Sequence, residues 1–335
     1  MLLPFELVRK VVIDALRRSG ASQTSAELQG DVLVEADMRG HPSHGIQRLP
    51  RLISRISRQL AIANTTGLHV WRSGSYLSVD GGRGLGPVIG AGVIDALAPA
   101  ARSHGVAIAA VRDTNHLGML AWYAERIADL GLIGIVLSTS EALVHPWGGR
   151  RAMLGTNPIA IGIPAPPEAS FVLDLATSTV SMGKIADHAL RGHPIPDDWA
   201  LDEAGHATTD PAAARRGSLT PFGGAKGYGL GLAIELLVAS LSGSDFAPDV
   251  HGTLDDEHPC NKGDVFIVVD PSARSGRSIA SYLTAVRASP STSPDRPVAV
   301  PGDGARSRRR FALEHGIEID RTVWDEVTSL AVQAA

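Results

Sequence analysis

The chain has 335 residues, a formal net charge of −4, 44% hydrophobic residues and 20% charged residues. This balance is typical of a soluble globular protein, and the negative charge argues against nonspecific binding to nucleic acid, which needs a basic surface. No run approaches the roughly 18 consecutive apolar residues of a membrane span, so no membrane partner is expected. The single cysteine, Cys260, excludes an internal disulfide and a cysteine-based zinc site, and a cytoplasmic location is expected.

The first sixty residues are predicted to be helical. Apolar residues recur at helical spacing between positions 5 and 16 and define a first helix. Thr24 and Glu27 have the spacing of a capping box, which predicts the start of a second helix. A third helix is expected to begin near Ser43, with a kink at Pro50.

After about residue 70, short apolar runs alternate with helices, and the length of these runs predicts buried strands. The predicted strands are residues 76–80, 106–111, 132–137, 159–163, 171–175 and 265–269. The predicted helices are residues 87–103, 117–130 and 228–242, followed by a closing pair at 306–315 and 322–332. Residues 187–219 are rich in proline and glycine and are predicted to form a long ordered loop.

The most informative segment is Pro-Ser-His-Gly-Ile-Gln-Arg at residues 42–48. His44 and Arg48 are four residues apart, so they share one face of the predicted helix. Ser43 can cap that helix or hydrogen-bond the imidazole. An arginine can hold a carboxylate while a histidine exchanges a proton with the neighbouring oxygen, which is the chemistry that a small 2-hydroxy or 2-oxo acid needs. A structural histidine at a helix start is the alternative.

The common nucleotide-binding and hydrolase motifs are absent from the sequence. The glycine-rich run at residues 81–86 fits G-x-G-x-x-G in no register, and the run at 223–227 lacks the Lys-Ser/Thr ending of a P-loop. There is no H-E-x-x-H pair and no G-x-S-x-G elbow. The scattered histidines have no metal-ligand spacing, so no metal is expected. A standard Rossmann site, a kinase, a zinc protease and an α/β-hydrolase are therefore disfavoured.

Four further segments could contact a ligand, and each has a structural alternative. Asn-His-Leu-Gly at 115–118 lies between a strand and a helix, where backbone N–H groups favour anions, or it supplies a capping asparagine and a surface histidine. Thr156 could offer a hydroxyl to a ligand or serve only its turn. Residues 174–178 could bind a ribose or pyrophosphate, or cap a helix. Lys226, within a glycine-rich run, could bind a phosphate or belong to a flexible loop.

In their shared order these segments resemble one family, the type 2 malate/L-lactate dehydrogenases, over nearly the whole chain. The segments that carry the resemblance are Ala-Asp-Met-Arg-Gly at 36–40, Ser-His-Gly at 43–45, Asn-His-Leu-Gly at 115–118, Pro-Trp-Gly-Gly at 146–149, Gly-Thr-Asn-Pro at 155–158, Asp-Leu-Ala-Thr-Ser at 174–178, Gly-Lys-Ile at 183–185, Asp-Pro at 210–211, Gly-Gly-Ala-Lys-Gly-Tyr-Gly-Leu at 223–230, Asn-Lys-Gly at 261–263 and Pro-Gly at 301–302.

The resemblance implies an α+β fold in which a non-Rossmann cofactor-binding α/β sandwich domain is paired with a helical domain formed by both chain ends. The expected helical domain comprises residues 1–70, completed by 304–335, and the expected NAD(P)-binding domain comprises residues 71–303. The resemblance also implies NAD or NADP as cofactor, a small carboxylate as substrate and a homodimer as the assembly.

Residue roles follow from the same resemblance. His44 is expected to exchange the proton, with Ser43 polarising it and Arg48 holding the carboxylate. In the ureidoglycolate branch the histidine that matches His116 is the base, so both histidines are candidates. Thr156 and Lys184 are the further substrate contacts. The cofactor contacts that the resemblance implies are His116, Gly118, Asp174, Leu175, Ala176, Lys226, Gly302, Arg306 and Arg308.

The expected function is interconversion of a 2-hydroxy acid such as malate, lactate or sulfolactate with its 2-oxo acid. The alternatives within the family are a cyclic-imine (piperideine or pyrroline-2-carboxylate) reductase and a ureidoglycolate dehydrogenase. The imine reductases carry an aspartate at the position of Lys184, so this chain resembles them less closely there.

Overall fold

The computed structural model describes residues 1–166, 168–271 and 279–332. The helices in this part of the chain are α1 (Phe5–Arg18), α2 (Gln23–Met38), α3 (Leu49–Ser57), α4 (Gly86–His104), α5 (Ala121–Asp129), α6 (Met182–Arg191), α7 (Pro211–Arg216), α8 (Ala225–Ser242), α9 (Ile279–Arg287), α10 (Asp303–His315) and α11 (Arg321–Val332). The strands are β1 (Leu2–Leu3), β2 (Leu68–Ser73), β3 (Tyr76–Asp80), β4 (Val106–Arg112), β5 (Ile133–Ser138), β6 (Ile159–Ile163), β7 (Phe171–Leu175), β8 (Ala200–Leu201), β9 (Ser218–Leu219), β10 (Gly263–Val269) and β11 (Ile317–Glu318).

The fold is of mixed α/β type, built on a seven-stranded sheet with the order β2-β3-β4-β10-β5-β6-β7. Strands β3 and β4 pair in parallel, and the other neighbours in this sheet pair antiparallel. The six predicted strands are confirmed. Strand β2 was not predicted, because most of its residues are exposed and give no buried apolar run.

Helices cover both faces of the sheet. On one face, Ile89 and Val93 of α4 and Tyr123 of α5 pack with Val79 and Phe266 in one buried cluster. On the other face, residues of α8 pack with residues of β5 and β10 in a second cluster. The predicted loop at residues 187–219 is wrong, since this segment contains the end of α6 and all of β8, α7 and β9.

A separate helical layer joins the two ends of the chain. Leu16 of α1, Leu33 of α2 and Trp324 of α11 lie in one buried cluster, and Leu3 pairs with Ile317 between β1 and β11. The boundaries at residues 70 and 304 remain a prediction, and residues 167, 272–278 and 333–335 of the two expected domains lie outside the described residues.

Two local predictions in this layer are wrong. Helix α2 begins one residue before Thr24, and its cap is Ser22, whose side chain accepts a hydrogen bond from the Ser25 backbone N–H. The capping box therefore does not form. Pro50 lies in the first turn of α3, where a missing N–H costs no helical hydrogen bond, so the expected kink does not occur.

Among the described residues, α8 is the one helix with the length and composition of a membrane span, and a third of its residues are buried within the fold. Glu235 lies in its middle and accepts hydrogen bonds from Asn157 Nδ2 at 2.6 Å and from the Ala247 backbone N–H at 2.7 Å. The side of α8 that faces the sheet packs in the buried cluster with β5 and β10.

Candidate active site

The segment that carries His44 and Arg48 is not one helix. Two short 3₁₀ turns, Pro42–His44 and Ile46–Arg48, precede α3, and Gly45 between them is extended with φ −87° and ψ −159°. The predicted shared helical face of His44 and Arg48 is therefore wrong. The cause is Asp37 on α2, whose Oδ2 accepts a hydrogen bond from the Ile46 backbone N–H at 2.8 Å and whose carboxylate fills the space that a side chain at position 45 would need.

His44 lies against His116, which comes from the loop between β4 and α5. Their rings are stacked with centroids 5.3 Å apart and an angle of 8° between the planes. Burial lowers the pKa of His44 to about 3, and the positive charges of Arg48 and His41 add to that effect. Burial also lowers the pKa of His116 well below its usual range, with Arg48 and His44 contributing. Both rings are therefore neutral at pH 7 in the ligand-free protein.

Arg48 is a partly buried cation that no carboxylate contacts directly among the described residues. Its Nε donates to the Ser43 carbonyl oxygen at 2.7 Å, and its Nη1 donates to the Thr253 carbonyl oxygen at 3.5 Å. Burial lowers the pKa of Arg48 to about 10, and Arg51 lowers it further while Glu141 opposes the shift. Glu141 is itself occupied by the Thr253 and Leu254 backbone N–H groups. An anionic ligand would compensate this charge.

A cleft opens beside these groups, and α3 contributes more arginines to it than the sequence analysis assigned to the site. The residues that line it are Gln29, Leu33, Arg48, Arg51, Leu52, Arg55, Asn115, His116, Gly118, Gly252 and Thr253. Arg55 donates from Nε to Asn115 Oδ1 at 3.0 Å, whereas its Nη2 is buried and has no acceptor in the described chain. The sequence signal that could have found these residues is the three-and-four spacing of arginines 48, 51 and 55.

Helix α6 brings Lys184 near the same loop without directing it at the histidines. Gly183 packs so closely on Ser43 that a Cβ at position 183 would lie 2.6 Å from Ser43 Cβ. The neighbouring Lys184 is exposed, and its Nζ lies 4.8 Å from the ring centroid of Trp199. The start of α6 therefore packs against the loop that carries His44, while the Lys184 ammonium lies over the indole of Trp199.

Thr156 belongs to the turn before β6. Its N–H donates a hydrogen bond to the Ser140 hydroxyl oxygen at 3.2 Å, and its carbonyl oxygen accepts one from the Thr177 N–H at 2.8 Å. These bonds tie the turn to the segment after β7. The Thr156 hydroxyl has no assigned partner among the described residues, and no direct contact joins it to the histidine pair there.

Asp174 connects the histidine loop to the edge of the sheet. It lies near the end of β7, and its Oδ2 accepts a hydrogen bond from the Ala121 N–H at 2.7 Å. Burial raises the pKa of Asp174 to about 6. Leu175 ends β7 and Ala176 follows it, both partly buried. Gly118, with φ +82°, has no room for a side chain, since a Cβ would lie 2.7 Å from Val32 Cγ1.

The remaining predicted cofactor residues lie at the other end of β7 and at the start of α8. Gly302, with φ +95°, precedes α10. Arg306 contacts Asp303 at 2.7 Å and the Ser170 carbonyl oxygen at 2.9 Å, while Arg308 Nε donates to the Arg39 carbonyl oxygen at 2.7 Å. Both guanidinium groups are thus occupied within the chain, and the structure does not bring them to the histidine pair.

Lys226 differs from these arginines because its side chain is exposed and has no assigned partner among the described residues. It is the second residue of α8, separated by Ala225 from Gly223 and Gly224, both of which have positive φ. The described residues contain no group of three or more histidine, cysteine, aspartate or glutamate side chains arranged to hold a metal ion.

Comparison with known proteins gives a consistent match. The family model described as malate/L-lactate dehydrogenase matches residues 3–328. L-sulfolactate dehydrogenase of Methanocaldococcus jannaschii is 34% identical over 98% of this chain and 96% of that protein. Delta(1)-pyrroline-2-carboxylate reductase 1 of Burkholderia ambifaria is 32% identical over 98% of this chain and 97% of that protein. The crystal structure of a dehydrogenase from Sinorhizobium meliloti has a TM-score of 0.96 and 56% identity, covering 99% of this chain and 98% of that one.

Proposed function

Because the chain belongs to the malate/L-lactate dehydrogenase family, we propose that it interconverts a small 2-hydroxy acid and its 2-oxo acid with NAD or NADP. The observation that carries this proposal is the placement of Arg48, an uncompensated cation, beside the stacked rings of His44 and His116. Arg48 would bind the carboxylate next to the reacting carbon. An imidazole would then hold or release the proton of the 2-oxygen.

The residues around the histidine loop fit a nicotinamide cofactor. Asp174 at one end of β7 presents a carboxylate of the kind that binds a ribose hydroxyl, and Gly118 allows a close backbone approach. Lys226 is a free cation for a phosphate. Arg306 and Arg308 would serve mainly to stabilise the neighbouring backbone, through their hydrogen bonds to the carbonyl oxygens of Ser170 and Arg39. The bound cofactor would supply or accept the hydride.

We propose that the cofactor domain is not of Rossmann type. In a Rossmann fold the dinucleotide lies at the carboxyl ends of parallel strands, next to a glycine-rich fingerprint. Here β7 is an antiparallel edge strand, and the G-x-G-x-x-G pattern is missing from the sequence. The candidate cofactor residues are instead distributed along that edge strand.

Among the possible acids, we favour those with a second anionic group, such as malate or sulfolactate. Arg51 lines the cleft beside Arg48 and is exposed, and Arg55 adds a buried donor without an acceptor. A carboxylate or sulfonate at the far end of the substrate would offset this positive potential, whereas the methyl group of lactate would not. The relative from Methanocaldococcus jannaschii, an L-sulfolactate dehydrogenase, is in line with this choice.

The test is to follow the absorbance of NADH and NADPH with oxaloacetate, 3-sulfopyruvate, pyruvate and a cyclic imino acid. We expect oxidation with a 2-oxo acid, and faster oxidation with the two dianions than with pyruvate. Arg51→Gln should lower kcat/KM for oxaloacetate by roughly tenfold while changing that for pyruvate little, given the value of one charged hydrogen bond. Arg58→Gln, at the residue that follows α3 and is paired with Asp256, is the matched control.

A cyclic-imine reductase is the second candidate, because a pyrroline-2-carboxylate reductase is among the relatives. A higher kcat/KM with the cyclic imino acid than with every 2-oxo acid would favour it. Activity only on ureidoglycolate would favour the third branch. No oxidation with any of these compounds, despite binding of cofactor, would contradict the proposed function.

We also propose that the protein is a homodimer. Helix α8 exposes three leucines, Leu230, Leu236 and Leu237, at 38%, 49% and 43% of their surface, and a second copy would cover such a stripe. Light scattering after size exclusion should give about twice the 35.1 kDa chain mass. A mass of one chain would contradict this proposal.

A further inference from the structure

The stacked histidines are not equivalent, because only one of them faces a backbone hydrogen-bond donor. His116 Nδ1 accepts a hydrogen bond from the Gly118 backbone N–H at 3.0 Å. A ring nitrogen that accepts a hydrogen bond carries no proton, so the proton of the neutral His116 ring is on Nε2. His44 Nδ1 is buried and faces neither donor nor acceptor in the described chain.

A second proton on His116 would have to enter at Nδ1, directly opposite the Gly118 N–H. Two N–H groups would then face each other at 3.0 Å. The Gly118 peptide has little freedom to turn away, since its φ is +82° and it packs on Val32. The chain is tied again three residues later, where Ala121 donates to Asp174. The backbone therefore opposes the imidazolium form of His116.

The charges around His116 act in the same direction. The charged groups that act on it are Arg48 just before α3, Arg51 on α3, His44 of the facing loop and Lys262 just before β10, and all of them lower its pKa. Lys262 is paired with Asp264 at 2.5 Å, which offsets part of its charge. For His44 the corresponding groups are Arg48 and His41. A substrate carboxylate on Arg48 would remove the main charge that opposes protonation of His44.

We infer that His116 stays neutral throughout turnover as a fixed Nε2–H hydrogen-bond donor, and that His44 is the residue that gains and loses the proton. This inference rests on the proposed function. In the reducing direction a hydride adds to C2 of the 2-oxo acid, and the reduced cofactor is oxidised. His44 gives its proton to the 2-oxygen as the O–H bond forms, and His116 stabilises that oxygen through Nε2–H. In the oxidising direction neutral His44 takes the proton back.

The first test does not depend on turnover. Nitrogen-15 NMR of the histidine rings in the whole protein reports the tautomer and the charge of each ring, and the His116 signals are identified by their contact with the Gly118 amide. We expect His116 to show the neutral Nε2–H tautomer at all pH values from 5 to 9. A neutral Nδ1–H tautomer, or a cation that forms with a pKa between 5 and 8, would overturn the inference.

The second test compares matched variants. The glutamine amide of His116→Gln can donate a hydrogen bond near the Nε2 position but cannot serve as a base, so we expect kcat within roughly tenfold of the parent and an unchanged pH profile. His116→Ala should lower kcat by about 100-fold, as expected when a hydrogen-bond donor to a developing oxyanion is removed. His44→Gln should lower kcat by at least about 100-fold, and its pH profile of kcat should no longer show the ionisation on the acid side. His206→Gln, at an exposed position outside the site, is the control.

The inference fails if His116→Gln is as inactive as His116→Ala and removes the ionisation while His44→Gln keeps it. That result would make His116 the acid–base residue and leave the proposed function standing. If no 2-oxo acid is reduced by the parent protein, the proposed function fails, whereas the NMR result still decides whether His116 is a fixed neutral donor.

Discussion

Asp37 and position 45 compete for the same space. The Asp37 carboxylate lies where a Cβ on Gly45 would be, and its Oδ2 also receives the Ile46 N–H at 2.8 Å. The break between the two 3₁₀ turns is thus held by a carboxylate from α2, and the directions of His44 and Arg48 depend on it. Asp37 touches neither ring and is a positioning residue.

Gly45→Ala should displace this loop. The added methyl group meets a buried carboxylate, so we expect a loss of roughly 1–3 kcal/mol in the free energy of unfolding. We also expect at least a tenfold lower kcat/KM, since His44 and Arg48 would move apart. Thermal unfolding and steady-state kinetics measure the two effects. Gly229→Ala, where a methyl group meets nothing within 4 Å, is the control and should leave both unchanged or slightly raise stability. Equal behaviour of the two variants would contradict the steric argument.

Asp37→Asn should change how stability depends on pH. Burial raises the pKa of Asp37 from 3.8 to about 7, so the folded state favours the protonated carboxyl. The stability that this preference gives is fully present below pH 3.8 and is lost as the pH rises to about 7. Asparagine keeps an acceptor for Ile46 and does not titrate.

The advantage of Asp37→Asn over the parent should therefore grow between pH 4 and pH 7 and then level off. Its size should be on the order of a few kcal/mol, given about 1.4 kcal/mol for each pKa unit. Urea unfolding at pH 5 and pH 8 measures it. A constant difference between the two pH values would show that Asp37 does not titrate in this range.

The sequence predicted the membership of the site better than its geometry. The sequence predicts that His44, Arg48 and His116 act together, and the structure stacks His44 on His116 and places Arg48 and His116 in the lining of one cleft. The prediction that His44 and Arg48 share a helix face is wrong, because contacts with Asp37 interrupt the helix between them. Asp37 is close to this segment in space, and the sequence shows it only as part of a motif. Local pattern carries no information on such a partner.

The fold shows the same limit. The apolar runs located β4, β5 and β10, but nothing in their composition indicates that β10, more than a hundred residues later, lies between the other two. That order is set by long-range pairing, such as Val265 with Ala110 and Leu137. Helix α5 starts at Ala121 instead of Leu117 because the intervening residues form the loop that turns His116 into the cleft.

Arg48→Lys should raise KM for the substrate more than it lowers kcat. A lysine keeps the charge but cannot hold a carboxylate in bidentate fashion, and it cannot also donate to the Ser43 carbonyl with the same geometry. We expect kcat/KM to fall by roughly 10- to 100-fold, the value of one to two charged hydrogen bonds. Arg72→Lys on exposed β2 is the control. An unchanged KM would remove Arg48 from the substrate site.

The buried pair of Lys262 and Asp264 should show strong coupling. Their side chains are 2% and 0% exposed and their charged atoms are 2.5 Å apart. Lys262→Met leaves a buried carboxylate without a partner and should lower the free energy of unfolding by about 3–5 kcal/mol. The double variant, Lys262→Met with Asp264→Asn, should lower it by less than either single change. Urea unfolding of the full cycle gives the coupling energy. The exposed pair Lys10 and Asp14, treated the same way, should give under about 1 kcal/mol.

The pairing of β1 with β11 has a consequence for the order in which the protein can mature. Leu3 and Ile317 are neighbours in space although almost the whole chain separates them, and α11 packs in the layer that supports α2 and the two 3₁₀ turns that carry His44 and Arg48. During synthesis the central sheet can assemble from segments already made, but this layer must wait for the last helices to leave the ribosome. A nascent chain that stalls before α11 would therefore carry a formed sheet with an unsupported His44 loop.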